Sequence, residues 1–238
     1  MNFDRVEQAL TRARFRCHRF ATGQDAAQWL AAECSGKTVG IGGSMTAKAM
    51  KLEELLPRTS TVYWHWLTPG PETLANAATA QVYLTSVNAL AETGELINID
   101  GTGNRISAAT GAHERVYYLV GRNKLAETFD KALWRARNIA SPLNARRLNR
   151  ETPCVKNELK CYDCNSPQRI CNGLSVVWKP LGGAQETHVL LIDEDLGYLD
   201  WIWTPKQASV GSHDARWLFF YGVVSQSSGR ANFLRYSS

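Results

Sequence analysis

No window of the 238-residue chain approaches eighteen uninterrupted apolar residues, so no membrane-spanning helix is expected. The first residues, Met1-Asn2-Phe3-Asp4-Arg5-Val6-Glu7-Gln8, lack the apolar centre of a signal peptide. A cytoplasmic, reducing setting is therefore expected, where clustered cysteines point to metal or redox chemistry before structural disulfides. Charge of either sign is in small excess: the formal net charge is +5, with the basic residues scattered. That is compatible with an anionic substrate and too little to predict a nucleic-acid partner. Neither G-x-G-x-x-G nor G-x-x-x-x-G-K-[ST] occurs, so no nucleotide cofactor motif is present. The histidines at 18, 65, 113, 188 and 213 form no His-x-x-x-His pair and no elbow with serine. Each reads as a surface or core histidine, with His113 the one near the candidate site.

What is present is an ordinary globular composition, 44% hydrophobic and 21% charged. It is long enough for one large domain or two small ones with a full core. Four of the six cysteines fall in one short segment: Cys154, Cys161, Cys164 and Cys171, spaced C-x6-C-x2-C-x6-C. Four thiols around a C-x-x-C pair can bind zinc tetrahedrally or hold an iron–sulfur cluster. The symmetric spacing matches no common finger or ferredoxin pattern, so it does not name the metal. The plainer reading is four reduced thiols lining a packed loop.

Apolar spacing predicts an amphipathic helix over residues 2–14, a strand over 15–20, and a helix capped by Thr22 with Asp25 and running to Cys34. A short strand over 38–41 leads into Gly40-Ile41-Gly42-Gly43-Ser44-Met45-Thr46 and then a helical run over 47–56. Strand, glycine bend and helix start together suggest an anion pocket. In it the backbone of Gly42, Gly43 and Ser44 and the hydroxyls of Ser44 and Thr46 would be donors. The competing reading is a tight turn with Ser44 as N-cap. Strands over 62–66 and 82–86 flank a helix over 71–80, so strand and helix alternate. That pattern predicts an α/β protein with a mainly parallel sheet flanked by helices.

Residues 86–105 carry unusual polar density. Glu95 and Asp100 are candidate catalytic acids or bases, and Asn88, Asn98, Asn104 and Arg105 could orient an anionic or carbonyl substrate. The alternative is a hairpin with Thr-Gly and Asp-Gly turns, its carboxylates exposed or paired with Arg105. Further on, a strand over 116–120, a helix over 125–140 interrupted by Ser141-Pro142 and resumed over 144–148, and two strands paired across Pro180-Leu181-Gly182-Gly183 are expected. The cysteine segment, residues 152–172, is an excursion between them. From Leu199 the chain is rich in aromatic residues with no helical period. Residues 199–238 read as an extra hairpin, an aromatic contact surface or a segment foreign to the domain, such as a shifted reading frame.

Four pieces in order resemble the LUD-domain (lactate utilisation) family, in its single-domain branch with four cysteines. They are residues 40–46, the stretch 85–105, the "VGRNK" of 120–124 running into "ARNIASPLNARRLNRETPC", and the cysteine segment through "IDEDLGY" at 192–198. The resemblance covers residues 3–198 and leaves the tail unsupported. Thr93 stands where the family usually has Asp, so no role of that carboxylate carries over. The resemblance implies a fold similar to the sugar-phosphate isomerase and CoA-transferase superfamily. It also implies a part in oxidation of L-lactate to pyruvate, with lactate or a like small anion as ligand and iron–sulfur partner subunits; a homo-oligomer is a state compatible with the sequence, which does not itself fix it. Two other functions fit the residues. One is a free-standing isomerase-like or acyl-transfer-like enzyme on a small anion, with Glu95 or Asp100 as base. The other is a metal-stapled interaction protein.

Overall fold

The computed structural model describes residues 3–198; the expectations for the aromatic tail lie outside the described residues. Helix α1 (Phe3–Arg12) buries Phe3, Val6 and Leu10 on one stripe and carries Asp4 in its first turn, where a carboxylate complements the helix dipole. Strand β1 (Arg16–Phe20) leads to α2 (Gly23–Glu33), whose N-cap Thr22 accepts a hydrogen bond from the Asp25 amide at 3.1 Å, as its spacing predicts. Strand β2 (Thr38–Ile41) is followed by α3 (Met45–Ala49) and α4 (Leu52–Leu55). The single helix expected over 47–56 is broken at Lys51, which takes a left-handed conformation (φ 55°). Met50 and Leu52 would point to opposite sides of a straight helix. The break lets both, with Leu56, enter one core.

Strand β3 (Thr61–Trp64), α5 (Pro71–Ala78) and β4 (Val82–Ser86) come next. A hairpin of β5 (Ala89–Ala91) and β6 (Leu96–Asp100) follows, then α6 (Asn104–Ala109) and β7 (Arg115–Gly121). Residues 125–126, expected as helix, form a short strand β8 (Leu125–Ala126), and α7 (Phe129–Arg135) starts only after the Thr128 cap. The expected interruption at Ser141-Pro142 is not a break. A wider π turn over Ala136–Ala140 joins α7 to α8 (Ser141–Arg147), with Pro142 in the first turn, where no intrahelical N–H is needed. Ser141 gives both its backbone N–H and, at 2.9 Å, its Oγ to the Ala136 carbonyl, which closes the wide turn. Helix α9 (Pro153–Lys156) opens the cysteine segment, and β9 (Gly173–Val177) and β10 (Glu186–Ile192) close the described chain.

The main sheet is six-stranded and parallel, in the order β1-β10-β7-β4-β2-β3. Its central strands β10, β7, β4 and β2 are buried on both faces, as parallel strands covered by helices are, whereas the edge strands β1 and β3 are partly exposed. Along β7, Tyr117 and Leu119 face the core under α2 and α4, and Val116, Tyr118 and Val120 face the core under α1. Along β10, Leu190 and Ile192 alternate likewise with Val189 and Leu191. Gly40 is fixed by this layering: a Cβ there would lie 2.2 Å from the Ala77 carbonyl oxygen of α5. A second sheet, β8-β5-β6-β9, is mixed. It corrects one expectation: residues 174–178 and 189–192 do not pair with each other. Strand β9 pairs antiparallel with β6, whereas β10 lies between β1 and β7 in the main sheet.

Candidate functional site

In open parallel sheets the chain leaves the strands' carboxyl ends, and a crevice opens where the strand order reverses direction. Here the reversal lies between β2 and β4. From β2 the chain steps outward to β3, and from β4 it steps the other way to β7 and β10. At that edge a cleft of about 260 Å³ is lined by the segments following β2, β3, β4 and β7, with residues of α6, α7 and α8 and the loop after β10 around it.

The cleft gathers most of the residues named from the sequence. Gly43, Thr46, Asn88, Asp100, Asn104 and Arg105 all line it. Asp100, at the end of β6, accepts through Oδ1 from the amides of Thr102 and Gly103 at 3.2 and 3.1 Å. This turn passes through Gly103 at φ 81°, a left-handed conformation that suits glycine, and starts α6. The other carboxylate oxygen, Oδ2, is 3.5 Å from Arg105 Nε and has no hydrogen-bond partner. Arg105 also donates through Nη2 to the Ile99 carbonyl at 2.6 Å and through Nη1 to Asn98 Oδ1 at 3.3 Å. Asn98 is buried and sits behind the cleft as a support for Arg105. Asn88 Oδ1 accepts from the Ile99 amide at 2.6 Å and so ties the hairpin to the end of β4. Asn104 Oδ1 accepts from Thr102 Oγ1 at 2.5 Å.

Besides Asn98, three of the named residues do not line the cleft. Glu95 sits in the β5–β6 turn, accepting from the Thr93 hydroxyl. The hairpin reading describes it, because the turn points its carboxylate away from the strand ends. Ser44 is buried; its Oγ caps the Ala47 amide at 3.1 Å and donates to Ser86 Oγ at 3.1 Å. Gly42 gives its amide to the Leu84 carbonyl at 3.1 Å. A Cβ at Gly42 would lie 2.7 Å from both Arg105 Cγ and Tyr83 Oη, so it is packing that excludes a side chain. With α3 only five residues long, the loop supplies shape and Thr46 to the cleft more than a helix-end anion site.

Other lining residues received no role from the sequence. Lys124, Arg135, Arg147 and Arg150 join Arg105 on the walls, with His65, Trp66 and Tyr198. Among the described lining residues Asp100 is the one carboxylate. Lys124 is 6% exposed, and its Nζ donates to Thr46 Oγ1 at 2.5 Å. Burial, and then the Arg135 and Arg105 charges, hold its amine well below the usual lysine range. Arg135 donates to the Asn123 and Asn88 carbonyls at 2.8 and 2.5 Å, which braces the cleft wall. The Arg147 guanidinium lies 4.8 Å from the Trp66 ring centroid and donates to Asn144 Oδ1 and Tyr198 Oη. Burial, and next the Arg147 charge, lower His65, so its imidazole is neutral at pH 7. Lys124, Arg147, Arg150 and Tyr198 lie in segments that carry the resemblance, 120–124, 136–154 and 192–198, whereas His65, Trp66 and Arg135 lie outside them, and no spacing rule brings these residues together. His113 is drawn away: its ring nitrogens lie 2.6 and 2.7 Å from the Ala80 and Ala108 carbonyls in the core.

The four cysteines of the excursion are free thiols that line one small cavity of about 20 Å³ beside α8. Cys161 Sγ accepts from the Asp163 amide at 3.4 Å and from Arg137 Nη2 at 3.5 Å. Burial raises the Cys171 thiol above its ordinary value, against Arg169. Among the described residues no group of three or more His, Cys, Asp or Glu side chains is placed to hold a metal ion. Thiolates are the soft donors that zinc and iron–sulfur clusters take, so the donor chemistry of these four residues is compatible with such a group. The segment ends on the cleft rim. Asn172 donates its amide to the Asp100 carbonyl at 3.0 Å, and Ile170 lines both the thiol cavity and the cleft.

Fold and cleft define a parallel α/β protein with a cleft lined by basic side chains at the strand ends. The LUD domain family profile matches residues 3–192, and the chain belongs to that family. No curated protein matches it. Among solved structures, the crystal structure of a DUF162 family protein from Deinococcus radiodurans is similar. It is 12% identical, with a TM-score of 0.47, and the match covers 80% of this chain and 95% of that one. Among the described residues no helix is long and apolar enough to cross a membrane.

Proposed function

We propose that the cleft binds a small carboxylate such as L-lactate or pyruvate, and that the chain is a component of L-lactate oxidation. The observation that carries this is the charge of the walls: among the described residues, five basic side chains and one carboxylate, itself engaged by Arg105. A guanidinium fork oriented by Asn144 and Tyr198 and stacked on Trp66 suits a planar carboxylate, which accepts two parallel hydrogen bonds. The residues around the cleft bind and orient the acid. The electrons of an oxidation would pass to iron–sulfur partner subunits, as the family resemblance implies. If the domain instead works alone as an isomerase or acyl-transfer enzyme, the base falls to Asp100, because Glu95 is outside the cleft.

The test is thermal unfolding with L-lactate, pyruvate, a sugar phosphate and coenzyme A. Ligand at about 100 times Kd adds roughly 2.7 kcal/mol, a rise of about 5–10 °C for a domain of this size. A rise with lactate or pyruvate alone supports the proposal. A rise confined to sugar phosphate or coenzyme A favours the free-standing enzyme, and no rise with any of them removes the cleft as an anion site.

A second reading concerns the thiol cavity. We propose that Cys154, Cys161, Cys164 and Cys171 take up zinc or an iron–sulfur cluster that staples the excursion to the cleft rim. That all four thiols share one cavity favours it. Metal analysis and visible absorbance of anaerobically purified protein decide it. Stoichiometric zinc or brown iron-containing protein supports the proposal, and neither metal leaves the thiols as packing.

A further inference from the structure

We infer that the Lys124 amine is a nucleophile that forms a reversible imine with the carbonyl of a 2-oxo acid held in the cleft; this rests on the anion-binding reading above. Lys124 is an unusual place for a lysine. It is buried where it lines the cleft, and the hydrogen bond recorded for its Nζ goes to a neutral hydroxyl, Thr46 Oγ1, rather than to a carboxylate. Asp100, the lining acid, has its Oδ1 on two turn amides and its Oδ2 beside Arg105.

A lysine kept only as a counter-charge is normally given a carboxylate or left in water, because an isolated buried ammonium is costly. A lysine kept as a nucleophile is desolvated and set beside other cations, which favour the uncharged amine. Lys124 has both features, with Arg105 and Arg135 as the cations, and its amine is held well below the ordinary range. The same cations attract a carboxylate-bearing ligand, so one set of charges frees the amine and recruits its electrophile. Thr46 Oγ1 fixes the nitrogen at the cleft wall. Gly197, in the loop after β10, leaves room for that hydroxyl, since a Cβ there would lie 3.0 Å from it.

The step balances without an oxidant. The amine nitrogen attacks the carbonyl carbon and the carbonyl π pair moves to oxygen, giving a carbinolamine. The C–O bond then breaks as the nitrogen lone pair forms C=N. The carbonyl oxygen leaves as water with the two amine hydrogens.

The experiment is reductive trapping of the whole chain with pyruvate and cyanoborohydride at pH 7, followed by peptide mass mapping. Lys124 is expected to be alkylated about tenfold faster than the exposed Lys131 and Lys160, which are ion-paired with Glu127 and Glu158, because a desolvated amine beside other cations is the better nucleophile. L-Lactate, which has no carbonyl, should give no adduct and should slow labelling by pyruvate. Lys124→Arg keeps a hydrogen-bond donor at this position but no nucleophilic amine, and should lose the adduct while keeping a native circular dichroism spectrum. Even labelling of all lysines, or an unlabelled Lys124 while pyruvate still raises the melting temperature, overturns the imine and leaves anion binding standing. No label and no thermal response to any anion overturns both. Because the decisive comparison is among lysines of the wild-type chain, a Lys124 variant that fails to fold does not weaken it.

Discussion

Lys124 Nζ and Thr46 Oγ1 are 2.5 Å apart, joining the segment after β7 to the first turn of α3 at the cleft wall. The two residues are 78 positions apart in sequence and meet because β4, next to both β2 and β7, brings the ends of those strands to one edge. Thr46→Val keeps the shape and removes the acceptor. Leaving a buried donor without a partner costs about 1–3 kcal/mol. The urea midpoint should fall accordingly, with an unchanged slope. A midpoint equal to wild type would show that the bond contributes nothing.

Asp100→Asn removes the one lining carboxylate while keeping an oxygen for the Thr102 and Gly103 amides. Anion affinity should rise by about tenfold at low salt, since a single charge a few ångströms away is worth on the order of 1–4 kcal/mol in a partly exposed site. Titration calorimetry with pyruvate measures it. Weaker binding would mean that Arg105, freed from Asp100, no longer holds its place.

Gly43→Asp puts a side chain 3.3 Å from the Trp66 ring and a negative charge into the cleft. The thermal response to lactate and pyruvate should disappear. An undiminished response would take the glycine loop out of the binding site.

Gly40→Ala tests the layering. The added methyl would stand 2.2 Å from the Ala77 carbonyl oxygen, a backbone atom that cannot turn aside. Overpacking of this kind costs about 1–3 kcal/mol or more. Guanidinium unfolding should show the loss, and a neutral result would mean that α5 moves freely over the sheet.

The far end of the sheet should make stability pH-dependent. His18 Nε2 and His188 Nδ1 are 2.9 Å apart, and His188 Nε2 is 3.1 Å from Glu186 Oε2. Burial is the main cause that lowers both histidines. For a lowered pKa the contribution to stability is whole above the unfolded value, about 6.5. It is lost as pH falls through that value towards the folded one. Unfolding free energy should therefore drop between pH 7.5 and 5. His188→Gln should flatten the profile. A wild-type profile that is already flat would contradict the assignment.

Much of the frame was legible in the chain itself. Apolar spacing marked α1, the Thr22 cap and the alternation of strand and helix, because a buried stripe and a cap leave local patterns. The fold class and the family follow from those patterns and from the ordered segments at 40–46, 85–105, 120–124 and 152–198. The breaks were not legible. The kink at Lys51 and the π turn before Ser141 answer to what lies beneath each helix, which nearby sequence does not encode. Strand β9 was misassigned because an edge strand carries no mark of its partner.

The sequence alone determined which residue types are available and where strands end. It placed Asp100, Asn88 and Arg105 in one polar stretch and the four cysteines in one excursion. Only the tertiary structure decided that Glu95 turns away, that Ser44 is a cap, and that Lys124, Arg135 and Arg147 complete the cleft. The reason is the parallel crossover. Each strand end is separated from its neighbour by a helix and many residues, so the cluster of charge forms between segments that are distant in the chain.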